Sequence, residues 1–132
     1  MRRTVVWIAA LIALGLAVPA SANTPDSFSA CAKKRPDAEC KADIAVKADA
    51  IVYLKGKVDP PHAALEANLW RQRPDGEVEI IATVPIGAGG CMKYAWETTT
   101  EDGSQTDPNW FQFRIPGHGK SNDVEVMVFF GE

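Results

Sequence analysis

The sequence is short of positive charge, short of cysteine and without a helical hydrophobic stripe, and each shortage removes a class of protein. Lysine and arginine number 14 against 17 aspartate and glutamate, for a formal net charge of −3 and a sequence pI near 5.4. A domain that binds nucleic acid by neutralising phosphates needs a basic surface, so no nucleic-acid partner is expected. Three cysteines in 132 residues are too few for a dense disulfide scaffold. The ten glycines and nine prolines follow no collagen-like period, and 46% hydrophobic residues are too many for a disordered chain. The length allows one domain. What remains is an ordinary soluble domain, preceded by a segment of different character.

In that segment Arg2 and Arg3 supply a positive start, Val5 to Val18 an apolar run, and Ala20-Ser21-Ala22 the small residues a signal peptidase accepts. The run is shorter than the roughly 20 residues that span a bilayer, and Pro19 breaks it. Residues 1–22 are therefore read as a cleaved signal peptide, which makes the protein secreted, periplasmic or extracellular, with no membrane contact after cleavage. Cleavage leaves 110 residues and, with Arg2 and Arg3 gone, a net charge of −5. A chain of that size buries roughly 60–70% of its unfolded surface, enough for a core without obligatory cross-links.

In an oxidising compartment thiols tend to pair, and three pairings are open to Cys31, Cys40 and Cys91. Cys31 with Cys40 is the expected disulfide, because the two flank the hydrophilic stretch Lys33-Lys34-Arg35-Pro36-Asp37 and local closure costs the least entropy. A bridge from either of them to Cys91 is the rival. Phe28-Ser29-Ala30-Cys31 faintly resembles a lipoprotein acceptor box, but polar residues separate it from the apolar run.

Residues 23–41 are rich in Ser, Pro, Asp, Ala and Lys and read as an irregular N-terminal arm. Over 42–132 short runs of Val, Ile, Thr and aromatics recur between Gly, Pro, Asp and Asn, the signature of strands and turns. Seven candidate strands result: Asp43 to Lys47, Ala50 to Val58, Ala64 to Arg73, Glu77 to Val84, Cys91 to Thr98, Trp110 to Ile115 and Asp123 to Phe130. Arg73-Pro74-Asp75-Gly76-Glu77 is a turn, with proline presetting φ and glycine accepting a positive one. Alternation assigns faces: Val124, Val126 and Val128 oppose Glu125 and Met127, Phe111, Phe113 and Ile115 oppose Trp110, Gln112 and Arg114, and Val78, Ile80, Ala82 and Val84 oppose Glu79, Ile81 and Thr83. Half-buried strands of this kind mean antiparallel sheets with one wet face. The expected fold is all-β, a two-sheet antiparallel sandwich of about seven strands.

Val52-Tyr53-Leu54-Lys55-Gly56-Lys57-Val58-Asp59-Pro60, Leu69-Trp70-Arg71, Tyr94-Ala95-Trp96 and Phe111-Gln112-Phe113-Arg114-Ile115-Pro116 together resemble bacterial secreted immunoglobulin-like or fibronectin-III-like modules. The likeness covers about Ala50 to Phe130 and contains no site motif. It implies an immunoglobulin-like sandwich used for adhesion, spacing or ligand presentation rather than chemistry. The cysteine-bearing arm and Cys91 depart from such modules, and the Cys…Trp…Cys core of antibody domains is absent.

Chemistry is sparse. Ser121, His118 and Asp123 crowd into one glycine-rich connection, whereas triads are assembled from separate elements. Cys91 with His62 or His118 lacks a local signature for a reactive thiol. Glu77 with Glu79, and Glu101 with Asp102, are paired carboxylates without an expected cleft. His62, Cys91, Met92, His118 and Met127 form a soft-ligand set for copper in the wrong order for a blue-copper loop, and Asp102, Gln105, Asp107 and Asn109 offer calcium oxygens at no EF-hand spacing. No cofactor and no catalytic residue are therefore assigned. Three tryptophans follow the leader, and Tyr53, Trp70 and Trp110 fall on the polar side of their alternation, where exposed rings stack on sugars or anchor a partner. The expectation is a non-enzymatic binding or presentation module with a protein or cell-envelope partner; the alternatives are a carbohydrate- or small-ligand-binding module using those three rings and, behind it, a copper- or calcium-binding periplasmic protein.

Overall fold

The computed structural model describes residues 25–129; the signal peptide read over 1–22 lies outside them. The described chain forms nine strands, β1 (Ser27–Lys33), β2 (Asp43–Lys47), β3 (Ile51–Asp59), β4 (Glu66–Gln72), β5 (Val78–Pro85), β6 (Cys91–Glu97), β7 (Asn109–Ile115), β8 (Gly119–Lys120) and β9 (Val124–Phe129), with a single 3₁₀ turn at Thr100–Asp102. All seven expected strands are present. The first sheet has the order β1-β3-β6 and the second β2-β9-β7-β4-β5, with the short β8 paired to β7.

Two expectations need correction. The arm expected to be irregular contains a strand over Ser27–Lys33: Phe28, Ala30 and Ala32 turn toward the core while Ser29, Cys31 and Lys33 turn outward, and the run pairs with β3 from Ser27↔Asp59 to Lys33↔Tyr53. The sheets are also not purely antiparallel, because β2 lies parallel to β9 along Asp43↔Glu125 to Lys47↔Phe129. The chain leaves the first sheet at Lys33 and enters the second at Asp43, and the segment between them is clamped. Ala32 and Lys41 exchange both backbone hydrogen bonds, at 2.7 and 2.9 Å, and Cys31 and Cys40 form the disulfide, their Cα atoms 5.4 Å apart.

The sheets bury their facing sides against each other. Val52, Leu54 and Val58 of β3 and Met92 and Trp96 of β6 meet Leu69 of β4, Phe111, Phe113 and Ile115 of β7 and Val124, Val126 and Val128 of β9. Trp96 packs edge-on against Phe111 across the interface, ring centroids 4.8 Å apart. Gly56 leaves no room for a side chain, since a Cβ there would stand 2.8 Å from Met92 Cγ of the neighbouring strand and 3.0 Å from Phe113 Cδ2 of the facing sheet. Each buried aromatic or branched side chain contributes about 1.5–3 kcal/mol of transfer free energy, so this common core holds the sheets together.

A buried polar pin crosses the same core. Arg71, at the inward parity of β4, is 4% exposed. Its guanidinium donates to Asp102 Oδ1, donates twice to Asn109 Oδ1 and lies 4.9 Å from the Trp96 ring centroid. The other Asp102 oxygen accepts the Thr99 N–H at 2.7 Å and closes a capping box on the 3₁₀ turn. Charged groups enter a core only when paired, and here three elements are tied through one guanidinium.

The Pro-Asp-Gly turn forms as read: Arg73 and Gly76 N–H groups donate to Glu77 and Arg73 carbonyls, both at 2.8 Å, with Gly76 at φ 96°. One strand face does not follow its alternation. A bulge between Leu69 and Trp70 pairs Leu69 with Ala82 but Trp70 with Ile80, so Ile80 changes sides and is 48% exposed, while Ala82 and Val84 stay on the core side.

Candidate binding face

The outward residues of the three-stranded sheet converge on Tyr53. Val52, Leu54, Gly56 and Val58 of β3 face the core, which sends Ile51, Tyr53, Lys55 and Lys57 to the other side. Pairing with β1 and β6 then fixes their neighbours. Tyr53 lies between Lys33 and Ala95, Lys55 between Cys31 and Lys93, and Lys57 between Ser29 and Cys91. A groove of about 360 Å³ opens here, lined by Lys33, Pro36, Tyr53, Lys55, Lys93 and Ala95 among others. Lys33 donates through Nζ to the Pro36 carbonyl at 3.2 Å, so the disulfide-clamped loop forms one wall. No carboxylate lines the groove; the acids of these strands, Asp59 and Glu97, stand on the same face two residues beyond Lys57 and Ala95.

Trp70 and Trp110 do not join Tyr53. They belong to β4 and β7 of the other sheet and face the opposite side of the molecule, so the three rings make no common row. Trp110 is also not exposed. At 8% it sits on a central strand, flanked in register by Gln72 and Glu125, where neighbouring side chains close over it from both sides. Trp70 is half-buried beneath Arg114, whose guanidinium carbon stands 4.3 Å from the ring centroid. Burial pushes the Arg114 pKa below its ordinary value, and the nearby Asp123 charge opposes that shift; an arginine remains charged regardless.

The other candidates are occupied by structural bonds. Ser121 accepts from the Phe113 N–H at 3.0 Å and donates to the Asn122 carbonyl at 2.9 Å. Asp123 accepts from Gln112 Nε2 at 3.0 Å, and His118 lies against His62 with centroids 4.7 Å apart and planes tilted by 41°, so the three residues form no triad. Of the soft-ligand set, Met92 is a core residue at 1% exposure, Met127 is half-buried on β9, and Cys91 is an exposed free thiol on β6. Of the calcium set, Asp102 and Asn109 are spent on Arg71, while Gln105 is exposed. Among the described residues no three His, Cys, Asp or Glu side chains group around a common point.

Lys33, Lys55 and Lys93 are the site residues that sequence reasoning missed. Tyr53, Lys55 and Lys57 share a visible alternation, but Lys33 and Lys93 arrive only through pairing with strands about 20 residues before and 40 residues after. No helix among the described residues is long and apolar enough to cross a membrane. Comparison with protein-family models finds no match, and comparison with curated proteins finds none either.

Proposed function

We propose that this protein is an extracytoplasmic, non-enzymatic binding module of immunoglobulin-like sandwich type that engages a cell-envelope ligand through the outer face of its three-stranded sheet. The leader sequence and the Cys31–Cys40 disulfide support the compartment. The strand order supports the fold type: three strands on one side, six on the other, with an early strand parallel to the last. Ser121, Asp123, Asp102 and Asn109 are engaged in structural hydrogen bonds, which favours binding over catalysis.

The observation that carries the reading is the Tyr53 groove, a solvent-open concavity with an aromatic ring, a rigid wall and convergent cations. Binding sites combine concavity with a few placed polar groups in this way. The experiment is sedimentation of the mature chain with an envelope fraction of the producing cells. Tyr53→Ala reduces the bound fraction, while Trp70→Ala leaves it unchanged. The opposite pattern moves the binding face to the six-stranded side and sinks the proposal.

A further inference from the structure

We infer that the Tyr53 groove takes an acidic polysaccharide, with an anionic substituent between Lys55 and Lys93 and a sugar ring against Tyr53; the inference rests on the reading of this face as the binding face. The first ground is charge segregation. A chain with a formal charge of −3 gathers Lys33, Lys55, Lys57 and Lys93 on one side of one sheet. Lys55 and Lys93 are direct cross-strand partners, an arrangement in which like charges destabilise a sheet. Among the described residues no carboxylate lies within ion-pair distance of Lys55, Lys57 or Lys93, since the ion pairs fall on Arg35, Arg71 and Arg73.

Spacing makes the cluster a receptor for more than one negative group. Directly opposed side chains start about 5 Å apart and alternate residues along a strand about 7 Å apart. Both spacings are within the roughly 8 Å screening length at physiological salt, so each ammonium raises the cost of leaving the next one unneutralised. A single carboxylate, sulfate or phosphate placed between Lys55 and Lys93 relieves both. A chain carrying such groups at intervals reaches Lys57 on one side and Lys33 on the other.

Tyr53 selects the backbone that carries the anions. Its partner on β6 is Ala95, small enough to leave the flank of the phenol ring open in the groove, as a stacked pyranose requires. The wall at Pro36 is held in place by the Cys31–Cys40 bridge and the Lys33 hydrogen bond, so little ordering accompanies binding. An acidic peptide fits less well, because the groove is open to solvent rather than a closed pocket that would desolvate an anchor side chain. Single-stranded nucleic acid fits less well too, because such sites align several stacking rings along a basic track.

The test titrates the mature chain with heparin as the sulfated probe and polygalacturonate as the carboxylated one, against dextran, poly-L-glutamate and oligothymidylate. Binding to at least one acidic polysaccharide, absent with dextran and weakening with added salt, is expected. Lys55→Gln with Lys93→Gln weakens it about tenfold, the scale of two exposed ion pairs. Tyr53→Ala weakens it while leaving the salt dependence in place. Circular dichroism melts show both variants folded, and Lys120→Gln serves as the control that leaves binding unchanged. Which probe binds distinguishes sulfated from carboxylated ligands. No binding to either polysaccharide, equal binding to poly-L-glutamate or oligothymidylate, or insensitivity to the double lysine change overturns the inference. If Tyr53→Ala abolishes envelope sedimentation but neither polysaccharide competes, the binding face stands and the ligand class falls; if Tyr53→Ala leaves sedimentation intact, the face itself is wrong.

Discussion

Replacing Asp102 by alanine strips the Arg71 guanidinium of its buried carboxylate partner and shows how much of the fold depends on that pin. Arg71 is 4% and Asp102 7% exposed, so solvent compensates little. Breaking a buried pair from one side costs about 3–5 kcal/mol, because the remaining charge stays desolvated. The lost bond to the Thr99 N–H adds about 1 kcal/mol at the 3₁₀ turn. Glu79 stands 3.4 Å from Arg71 but is 42% exposed, and a solvent-screened partner returns less than about 1 kcal/mol. A net loss of roughly 3–5 kcal/mol is therefore expected, a large part of the 5–15 kcal/mol typical of a domain. For about 100 residues it lowers Tm by on the order of 12–20 °C at about 4 °C per kcal/mol. Urea denaturation followed by tryptophan fluorescence reads the change, Trp96 being in contact with both Arg71 and Phe111. The double change Arg71→Met with Asp102→Leu recovers most of the loss, since a buried pair and an apolar replacement are close in energy. If Asp102→Ala costs less than about 1 kcal/mol, Arg71 is not held as argued.

Three further outcomes follow from the same geometry. Gly90→Ala puts a Cβ 2.2 Å from the Val58 carbonyl oxygen at a φ of +85°; the obstacle is backbone, so the variant loses more than about 1 kcal/mol in urea denaturation. Cys31→Ser with Cys40→Ser opens the loop that carries Pro36 and lowers stability by about 2–3 kcal/mol on the loop-entropy estimate, read by the same denaturation assay. Alkylation of the unreduced protein followed by intact mass labels Cys91 alone, because Cys91 is exposed and free while Cys31 and Cys40 are bridged; label on Cys31 or Cys40 rejects the pairing.

The parts of the fold legible in the sequence are those governed by local alternation. β9 and β7 each place Val or Phe at every second position, and the period-2 rule sorts their faces correctly. β1 was hidden because its inward residues after Phe28 are Ala30 and Ala32, too small to give a contrast with serine and cysteine. The parallel β2–β9 pairing joins residues about 80 apart, and nothing local specifies such a register. The bulge at Leu69/Trp70 reversed the side of Ile80 for the same reason, because it is a property of two strands together. Arg71 carried a usable signal, an arginine at the inward parity of Ala67 and Leu69, whose burial implied a partner. Of the site, Tyr53 was legible as an aromatic among lysines on one strand face, whereas the lysines that complete it come from strands on either side.

Binding on the β1-β3-β6 face would perturb the backbone amides beneath the ligand. Amide chemical-shift mapping of the ¹⁵N-labelled mature chain with the acidic polysaccharide that binds tests it most directly. The largest perturbations are expected at Lys33, Tyr53, Lys55, Lys93 and Ala95. Perturbations centred instead on Trp70, Ile80 and Arg114 would contradict binding on this face.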